Sequence, residues 1–170
     1  MKKRHFLWAG TAALSTVWLS RSLPGRVSED GAIAKTKTTS AGFELMKTEQ
    51  EWRSILTPEQ FQVLRQHGTE LPRSSPLNQE HGKGTFVCAG CGLPLFPSDT
   101  KFESGTGWPS FYAPIAGAIG TKTDTSFFMS RVEVHCHRCG GHLGHVFDDG
   151  PQPTGKRYCM NGVAMKFTAA

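Results

Sequence analysis

The sequence has little excess positive charge outside its first 34 residues. The chain of 170 residues carries 19 basic and 14 acidic residues, a formal net charge of +5. Residues 1–34 hold five of the basic residues and two of the acidic ones, which leaves 14 against 12, a net charge of only +2, for residues 35–170. A domain that binds nucleic acid carries a basic patch or stripe on one face. The charge balance therefore argues against a nucleic-acid-binding module.

The sequence also lacks an apolar run of the length that a stable transmembrane helix requires. Between Arg4 and Arg21 lie 16 residues, which span about 24 Å as a helix, whereas the hydrocarbon core of a bilayer measures about 30 Å. The basic start, the short apolar run at residues 6–19 and the sequence AIA at residues 32–34 are typical of a signal peptide. We expect residues 1–34 to direct export to the periplasm or an equivalent compartment, by the general secretory or the twin-arginine route. An uncleaved leader would instead anchor the protein to the membrane.

Composition divides the rest of the chain into a linker and one folded domain. Residues 35–44, KTKTTSAGFE, are mostly polar and show no apolar periodicity, which is typical of a linker. The residues that follow provide enough apolar and aromatic side chains for one good core. We therefore expect a single domain at residues 45–168.

Two segments near the start of this domain predict short helices. TEQEWRSIL and TPEQFQVLRQHG both begin with threonine and carry Glu51 or Gln60 three residues later, which is the capping-box pattern. Pro58 suits the first helical position, and we expect Gly68 to end the second helix. From Gly82 onward, short alternating runs such as FFMSRVEVHC and RYCMNGVAMKF predict strands. The predicted fold class is therefore mainly β.

Four of the five cysteines form two similar motifs, CAGCGLPL and CHRCGGHL. Two CxxC loops, each followed by glycine, can turn four thiolates toward one point, as in a tetrahedral zinc site. The predicted metal ligands are therefore Cys88, Cys91, Cys136 and Cys139. Four protein ligands leave no open position for substrate, so we expect one Zn²⁺ with a structural role. Because the protein is expected to be exported, disulfides among these cysteines, in any of three connectivities, are the alternative.

The fifth cysteine, Cys159, is left over in the segment GKRYCMNG, and an odd thiol in an exported protein is either reactive or a liability. Side chains alternate between the two faces of a strand, so Arg157, Cys159 and Asn161 would share one face. The guanidinium of Arg157 would favour the thiolate, which is the nucleophilic form. A lone cysteine is more often a buried apolar side chain, so a reactive role for Cys159 depends on other residues.

The segment GGHLGHVFDDGP supplies groups that can move protons at neutral pH. His142 and His145 lie three residues apart, and Asp148 and Asp149 follow them. An unperturbed histidine titrates at about pH 6.5, and a nearby carboxylate can orient the imidazole or raise its pKa. General acid or base catalysis is thus a role for both histidines. They could instead be further metal ligands or ordinary polar groups of a loop.

Together, the segments GTGWPSFY and GGHLGHVFDDGPQPTGKRYCMNG and the two CxxC pairs resemble the methionine-R-sulfoxide reductase B family, also called the SelR domain. The resemblance covers residues 44–167. It implies a mainly β fold in which two antiparallel sheets pack like a tent, with short N-terminal helices. It also implies the reduction of methionine-R-sulfoxide in proteins, with free methionine sulfoxide as a poorer substrate.

The same resemblance implies roles for individual side chains. Cys159 would attack the sulfoxide sulfur and become a sulfenic acid, and His145 with His142 would protonate the departing oxygen. Trp108 matches the residue that receives the methyl group of the substrate, although packing in the core would also explain a tryptophan here. Three further family positions would orient water or a histidine, stabilise the thiolate and form hydrogen bonds: Asp149, Arg157 and Asn161.

Thr106 stands where many members of the family carry a second cysteine that attacks the sulfenic acid. Because the other four cysteines are predicted zinc ligands, the sulfenic acid of Cys159 would have to be reduced by an outside thiol. The expected partners are thus oxidised proteins and a thiol donor, either a thioredoxin-like protein or a small thiol. We expect a monomer that binds no nucleic acid.

Two other functions fit part of the pattern. A zinc-ribbon nucleic-acid-binding module would explain the paired cysteines, but it leaves Cys159 and the histidines without a role. Another zinc-ribbon thiol enzyme, such as one that forms glutathione adducts, would use Cys159 differently. Salt-dependent DNA binding tests the first of these, and turnover of methionine sulfoxide, resolved by epimer, tests the second.

Overall fold

A computed structural model of the chain describes residues 42–126 and 130–170. The predicted leader at residues 1–34, most of the predicted linker and the first three residues of the run FFMSRVEVHC lie outside these ranges. None of the helices in the described ranges is both long and apolar enough to cross a membrane.

Two short helices open the domain, and both begin as their capping patterns predict. Helix α1 spans Glu49–Ile55 and helix α2 spans Pro58–Gln66. Thr48 and Thr57 each accept a hydrogen bond from the backbone N–H three residues on. The side-chain oxygen of Glu51 or Gln60 at that position accepts a bond in return from the backbone N–H of the threonine. Each box satisfies two N–H groups that a helix start otherwise leaves without partners.

The second helix ends one residue earlier than predicted. His67, rather than Gly68, adopts the left-handed conformation, with a φ of 56°. The N–H of Gly68 then donates to the carbonyl oxygen of Gln62 at 3.0 Å, which closes the last turn. Glycine is the commonest residue in this conformation, but histidine is also enriched there among the other residues.

The described residues contain nine strands in two antiparallel sheets. In chain order the strands are β1 (Gly84–Cys88), β2 (Pro94–Pro97), β3 (Lys101–Phe102), β4 (Ser110–Phe111), β5 (Ile119–Asp124), β6 (Arg131–Cys136), β7 (His142–Phe147), β8 (Arg157–Met160) and β9 (Met165–Ala169). One sheet has the order β2-β1-β9 and the other the order β3-β4-β8-β7-β6-β5. The mainly β fold with two antiparallel sheets and short N-terminal helices is therefore confirmed.

The run RYCMNGVAMKF was expected to be a strand, but it forms two strands that belong to different sheets. It supplies β8 to the six-stranded sheet and β9 to the three-stranded sheet. A 3₁₀ turn at Gly162–Ala164 separates them. A Cβ at Gly162 would overlap the side chain of Ser75, so the turn passes where only glycine fits.

Aromatic side chains from both sheets meet in the core. Phe86 of β1, Phe96 of β2 and Phe111 of β4 are fully buried. The rings of Phe96 and Phe111 stack with centroids 4.4 Å apart, and Phe86 meets Phe111 edge-on at 4.9 Å. Aromatic pairs in these geometries contribute more than their buried area alone. They therefore hold the two sheets against each other, while α2 packs against β7.

Gly144 brings β7 and β8 into close contact, and its replacement tests how tightly these strands pack. A Cβ at this position would overlap the carbonyl oxygen of Cys159 and lie 3.0 Å from the Cα of Met160. We expect Gly144→Ala to lower the free energy of unfolding by about 1–3 kcal/mol or more, because backbone must move to make room. Urea unfolding measures the change.

Gly90→Ala is the matched control for this substitution. The nearest atom to a Cβ at Gly90 belongs to the ring of Trp52 at 3.5 Å, which is an ordinary contact. Equal stability of the Gly144→Ala and Gly90→Ala variants would contradict the close packing of β7 against β8.

Candidate active site

One row of directly paired residues crosses four of the hydrogen-bonded strand pairs in the six-stranded sheet. Ser110 of β4 pairs with Cys159 of β8, and Cys159 pairs with His145 of β7. The row continues from His145 to Glu133 of β6 and from Glu133 to Lys122 of β5. Directly paired residues project from the same face of a sheet. The register thus aligns a hydroxyl, a thiol, an imidazole, a carboxylate and an ammonium group on one surface.

A shift in register brings the second histidine to the same surface. On a regular strand His142 and His145, three residues apart, would project from opposite faces. The pairing of β6 with β7 shifts between Val134 and His135, so that His142 pairs with His135. As a result Nδ1 of His142 lies 2.8 Å from Oε1 of Glu133. The two imidazole centroids are 5.4 Å apart.

Cys159 is half-buried at the centre of this surface. Its Sγ lies 3.8 Å from Oγ1 of Thr106. Burial raises the pKa of the Cys159 thiol above its ordinary value, although Thr106, Arg157 and Ser110 each act to lower it. The guanidinium of Arg157 therefore favours the thiolate, as predicted, but burial has the larger effect on the pKa of Cys159.

Arg157 is held in place by Asp149 and by an aromatic ring. Its Nε and Nη2 donate to the two carboxylate oxygens of Asp149, both at 2.8 Å. Its guanidinium carbon lies 4.5 Å from the ring centroid of Phe147. Asp149 thus orients the arginine and does not contact either histidine, while Asp148 pairs with Lys156.

The carboxylates that orient the histidines come from other strands and were not among the residues predicted from the sequence. Nε2 of His145 lies 2.8 Å from Oδ2 of Asp124, which also accepts from Arg131 at 2.9 Å. Burial lowers the pKa of His145, and the contact with Asp124 opposes this lowering without cancelling it. Oε1 of Glu133 lies 2.8 Å from Nδ1 of His142 and orients that ring. A lone glutamate inside the apolar run VEV was the signal that could have revealed Glu133.

A pocket of about 130 Å³ opens beside Cys159. Its lining combines two aromatic rings, Trp108 and Phe147, with the polar side chains of His145 and Asn161. A larger cavity of about 660 Å³ lies beside α2, but neither Cys159 nor either histidine lines it. Because Cys159 and His145 line the smaller pocket, we locate the candidate site there.

Glu70 ties the walls of this pocket together, and no sequence pattern pointed to it. Its backbone N–H donates to Oδ1 of Asn161 at 3.0 Å, and its carbonyl oxygen accepts from the indole N–H of Trp108 at 3.1 Å. Its carboxylate accepts from the backbone N–H groups of Gly162 and Val163 at 2.6 and 2.9 Å. Glu70 therefore fixes Trp108 and Asn161 relative to the turn that follows β8.

The four paired cysteines cluster at a second place in the domain. Their sulfur atoms lie within 4.8 Å of one another, with Cys88 to Cys139 at 3.8 Å and Cys91 to Cys136 at 3.5 Å. Zinc–sulfur bonds of about 2.3 Å in a tetrahedron place the sulfurs about 3.8 Å apart. All five cysteines are free thiols in the described residues, so the disulfide alternative is not supported. The cluster fits one Zn²⁺.

The duplicated glycines shape the two cysteine loops as the motif predicts. Gly92 and Gly140, each directly after a CxxC pair, have positive φ values of 72° and 66°. Each donates its N–H to the carbonyl oxygen of the first cysteine of its pair, at 2.8 and 2.9 Å. Because Cys88 ends β1 and Cys136 ends β6, a bound metal would fasten the two sheets to each other.

Removal of one ligand tests this site. Cys91→Ser should abolish zinc binding and lower the melting temperature, because the three remaining ligands are left buried without a tetrahedral partner. Cys159→Ser should retain the metal and the melting temperature of the parent. Elemental analysis and thermal unfolding measure both, and a freshly folded parent protein without zinc would rule out the site.

Comparison with known proteins finds one family model and several relatives that match this chain. The family model described as SelR domain matches residues 56–169. The peptide methionine sulfoxide reductase MsrB of Methanosarcina barkeri is 62% identical over 122 residues, which cover 71% of this chain and 86% of the relative. The protein of the same name from Leptospira interrogans is 53% identical over 126 residues, 74% of this chain and 96% of the relative.

A third relative from another organism agrees with these two. The peptide methionine sulfoxide reductase MsrB of Agrobacterium fabrum is 52% identical over 122 residues, which cover 71% of this chain and 90% of the relative. Since the family match spans most of the described domain, including both cysteine pairs and the row that crosses the sheet, this chain belongs to the SelR domain family.

Proposed function

We propose that this protein is a peptide methionine-R-sulfoxide reductase, which repairs oxidised proteins by returning methionine-R-sulfoxide to methionine. The single observation that carries the proposal is the pairing of Cys159 with His145 beside a pocket lined by Trp108. Membership of the SelR domain family and the names of the relatives support the same activity.

The chemistry requires a nucleophilic sulfur and a source of protons. Sγ of Cys159 attacks the sulfoxide sulfur, and the oxygen passes to Sγ as methionine departs. The substrate sulfur gains two electrons and the sulfur of Cys159 loses two, so the products are methionine and the sulfenic acid of Cys159. No other electron donor takes part in this half of the reaction.

We assign the proton transfers of this step to His145. Burial raises the pKa of Cys159 and lowers the pKa of His145, so both side chains rest neutral near pH 7. His145 can then accept the thiol proton as attack begins and return it to the sulfoxide oxygen. Asp124, hydrogen-bonded to the ring, stabilises the imidazolium formed between these events. His142, held by Glu133, assists His145 in this transfer of one proton to the sulfoxide oxygen.

The lining of the pocket supports discrimination between the two sulfoxide epimers. We assign the ring of Trp108 to the methyl group of the substrate and the polar groups of His145 and Asn161 to the sulfoxide oxygen. Exchanging methyl and oxygen would bury the oxygen without a hydrogen bond, which costs roughly 1–3 kcal/mol. Glu70 maintains this arrangement by holding both Trp108 and Asn161.

Regeneration of the thiol requires a sulfur from outside the domain. Oγ1 of Thr106 lies 3.8 Å from Sγ of Cys159, so the position from which an internal thiol would attack holds a hydroxyl. The four remaining cysteines gather in the metal cluster, where a structural Zn²⁺ would occupy them. We assign the reduction to a thioredoxin-like protein or a small thiol of the compartment to which the leader directs this monomeric protein.

Turnover resolved by epimer tests the proposed function. The recombinant domain with dithiothreitol should reduce the R epimer of a methionine sulfoxide peptide and leave the S epimer unchanged, because only the R epimer matches the divided pocket. Cys159→Ser should abolish turnover while leaving the fold intact. Reduction of neither epimer by the zinc-loaded parent would refute the assignment.

A second prediction concerns the proton donor. His145→Ala should slow reduction of the R epimer by about 10²- to 10⁴-fold, because general acid–base help is lost. His81→Ala, which removes an exposed histidine outside the pocket, is the control and should turn over like the parent. If the folded His145→Ala variant matched the parent in single-turnover rate, His145 would not be the proton donor.

A third prediction follows from Thr106. After one equivalent of sulfoxide, the reduced protein should gain the mass of one oxygen atom and react with sulfenic-acid probes. Thr106→Cys should instead lose two hydrogen atoms, because the introduced thiol lies within reach of Cys159. A disulfide from Cys159 to any cysteine of the metal cluster in the parent protein would contradict the proposed recycling.

A further inference from the structure

Glu133 is a buried carboxylate, and two imidazoles lie within hydrogen-bonding distance of one of its oxygens. Its side chain is only 3% exposed, and Oε1 lies 2.8 Å from Nδ1 of His142 and 3.0 Å from Nδ1 of His67. Both imidazoles therefore already present a nitrogen to the same carboxylate oxygen.

The three side chains provide the donors that a transition metal prefers. Their donor atoms lie within 4.8 Å of one another. Two histidines and one carboxylate bind Zn²⁺ at about 2.0–2.1 Å, which places neighbouring donors about 3.3 Å apart in a tetrahedron. The distances to Glu133 are already close to this value. His67 lies at the surface, where its half-exposed ring can complete the approach.

A metal can replace the hydrogen bond between His142 and Glu133. Nδ1 lies 2.8 Å from the carboxylate, and this contact holds the ring proton on Nδ1 in the metal-free protein. Nε2 is buried and has no hydrogen-bond partner among the described residues. Because nothing competes for Nε2, the proton can move there when a metal binds at Nδ1.

A cavity beside these groups provides access and room for further ligands. It has a volume of about 510 Å³, and His67, Glu133 and His142 all line it together with His145 and Asp124. A catalytic or exchangeable zinc site has three protein ligands and an open position for water. The cavity leaves such a position open, unlike the closed cluster of four cysteines.

We propose that His67, Glu133 and His142 form a second metal site, which binds a divalent transition metal such as Zn²⁺ reversibly and inhibits the enzyme while it is occupied. A metal on His142 would remove its assistance in the proton transfer and place a positive charge beside His145, whose ring centroid lies 5.4 Å from that of His142. The inhibition rests on the proposed function, whereas the binding does not.

Lys122 is the one described cation that opposes this binding directly. Its Nζ lies 3.0 Å from Oε2 of Glu133, the oxygen that the histidines leave free, and its side chain is 57% exposed. Because the chain can turn into solvent, Lys122 weakens the site without blocking it. Its removal should tighten metal binding, which separates this site from adventitious binding at other histidines.

Metal binding is tested first in a protein that cannot turn over. In zinc-replete Cys159→Ser, equilibrium dialysis should find one Zn²⁺ per chain beyond the metal of the four-cysteine cluster, and added Co²⁺ should give visible bands. His67→Asn in this background should weaken binding at least about tenfold, since a ligand matters no less than the groups that orient ligands. Asparagine suits the left-handed conformation of residue 67, so the helix end is retained. Lys122→Gln should tighten binding.

Inhibition is then measured in the active protein with a phosphine as reductant, because thiols bind zinc. Zn²⁺ should inhibit reduction of the R epimer, and His67→Asn should raise the inhibitory concentration at least about tenfold, in step with its loss of binding. Equal Zn²⁺ or Co²⁺ affinity in the Cys159→Ser protein with and without His67→Asn would overturn the site. Equal inhibition of the parent and His67→Asn would overturn the inhibitory role, even if the reductase activity itself is confirmed.

Discussion

The hydrogen-bonded register between β7 and β8 is the constraint on which the candidate site depends. It sets Cys159 opposite His145, and the neighbouring strand pairs add Ser110 and Glu133 to the same row. A slip of one residue would turn every side chain of a strand to the other face. The close approach at Gly144 and the shifted pairing of β6 with β7 both act against such a slip. The pairing of the backbones thus determines which side chains meet at the candidate site.

The two sheets are held together by means that leave this row undisturbed. Stacked and edge-on aromatic rings join the sheets through the core. The cluster of four cysteines joins the end of β1 to the end of β6. Because these connections lie away from the small pocket, a metal bound in the cluster would support the positions of the candidate reacting groups without touching them. The domain thereby separates the four clustered sulfur atoms from the single sulfur to which we assign the reaction.

Patterns of residues close together in the sequence predicted the features that form within one segment. They could not predict contacts between strands that are distant in the sequence. The capping boxes, the cysteine loops and the leftover thiol each depend on residues a few positions apart. Glu133 and Asp124 acquire their partners only through the register of the sheet, and Glu70 meets Trp108 and Asn161 only after the chain has folded around them. The segment RYCMNGVAMKF has one apolar alternation, yet packing divides it between two sheets.

The small volume of the pocket beside Cys159 limits which oxidised methionines of a protein can enter it. About 130 Å³ is the space of a few water molecules, enough for the end of one side chain but not for the neighbours that surround a buried residue. In the proposed reaction a damaged methionine must therefore stand clear of its own protein before its sulfur can reach the thiol of Cys159. We thus expect the pocket to select for local exposure, so that loops, termini and partly unfolded chains are repaired first. Damage inside a folded core waits until thermal fluctuations open that core.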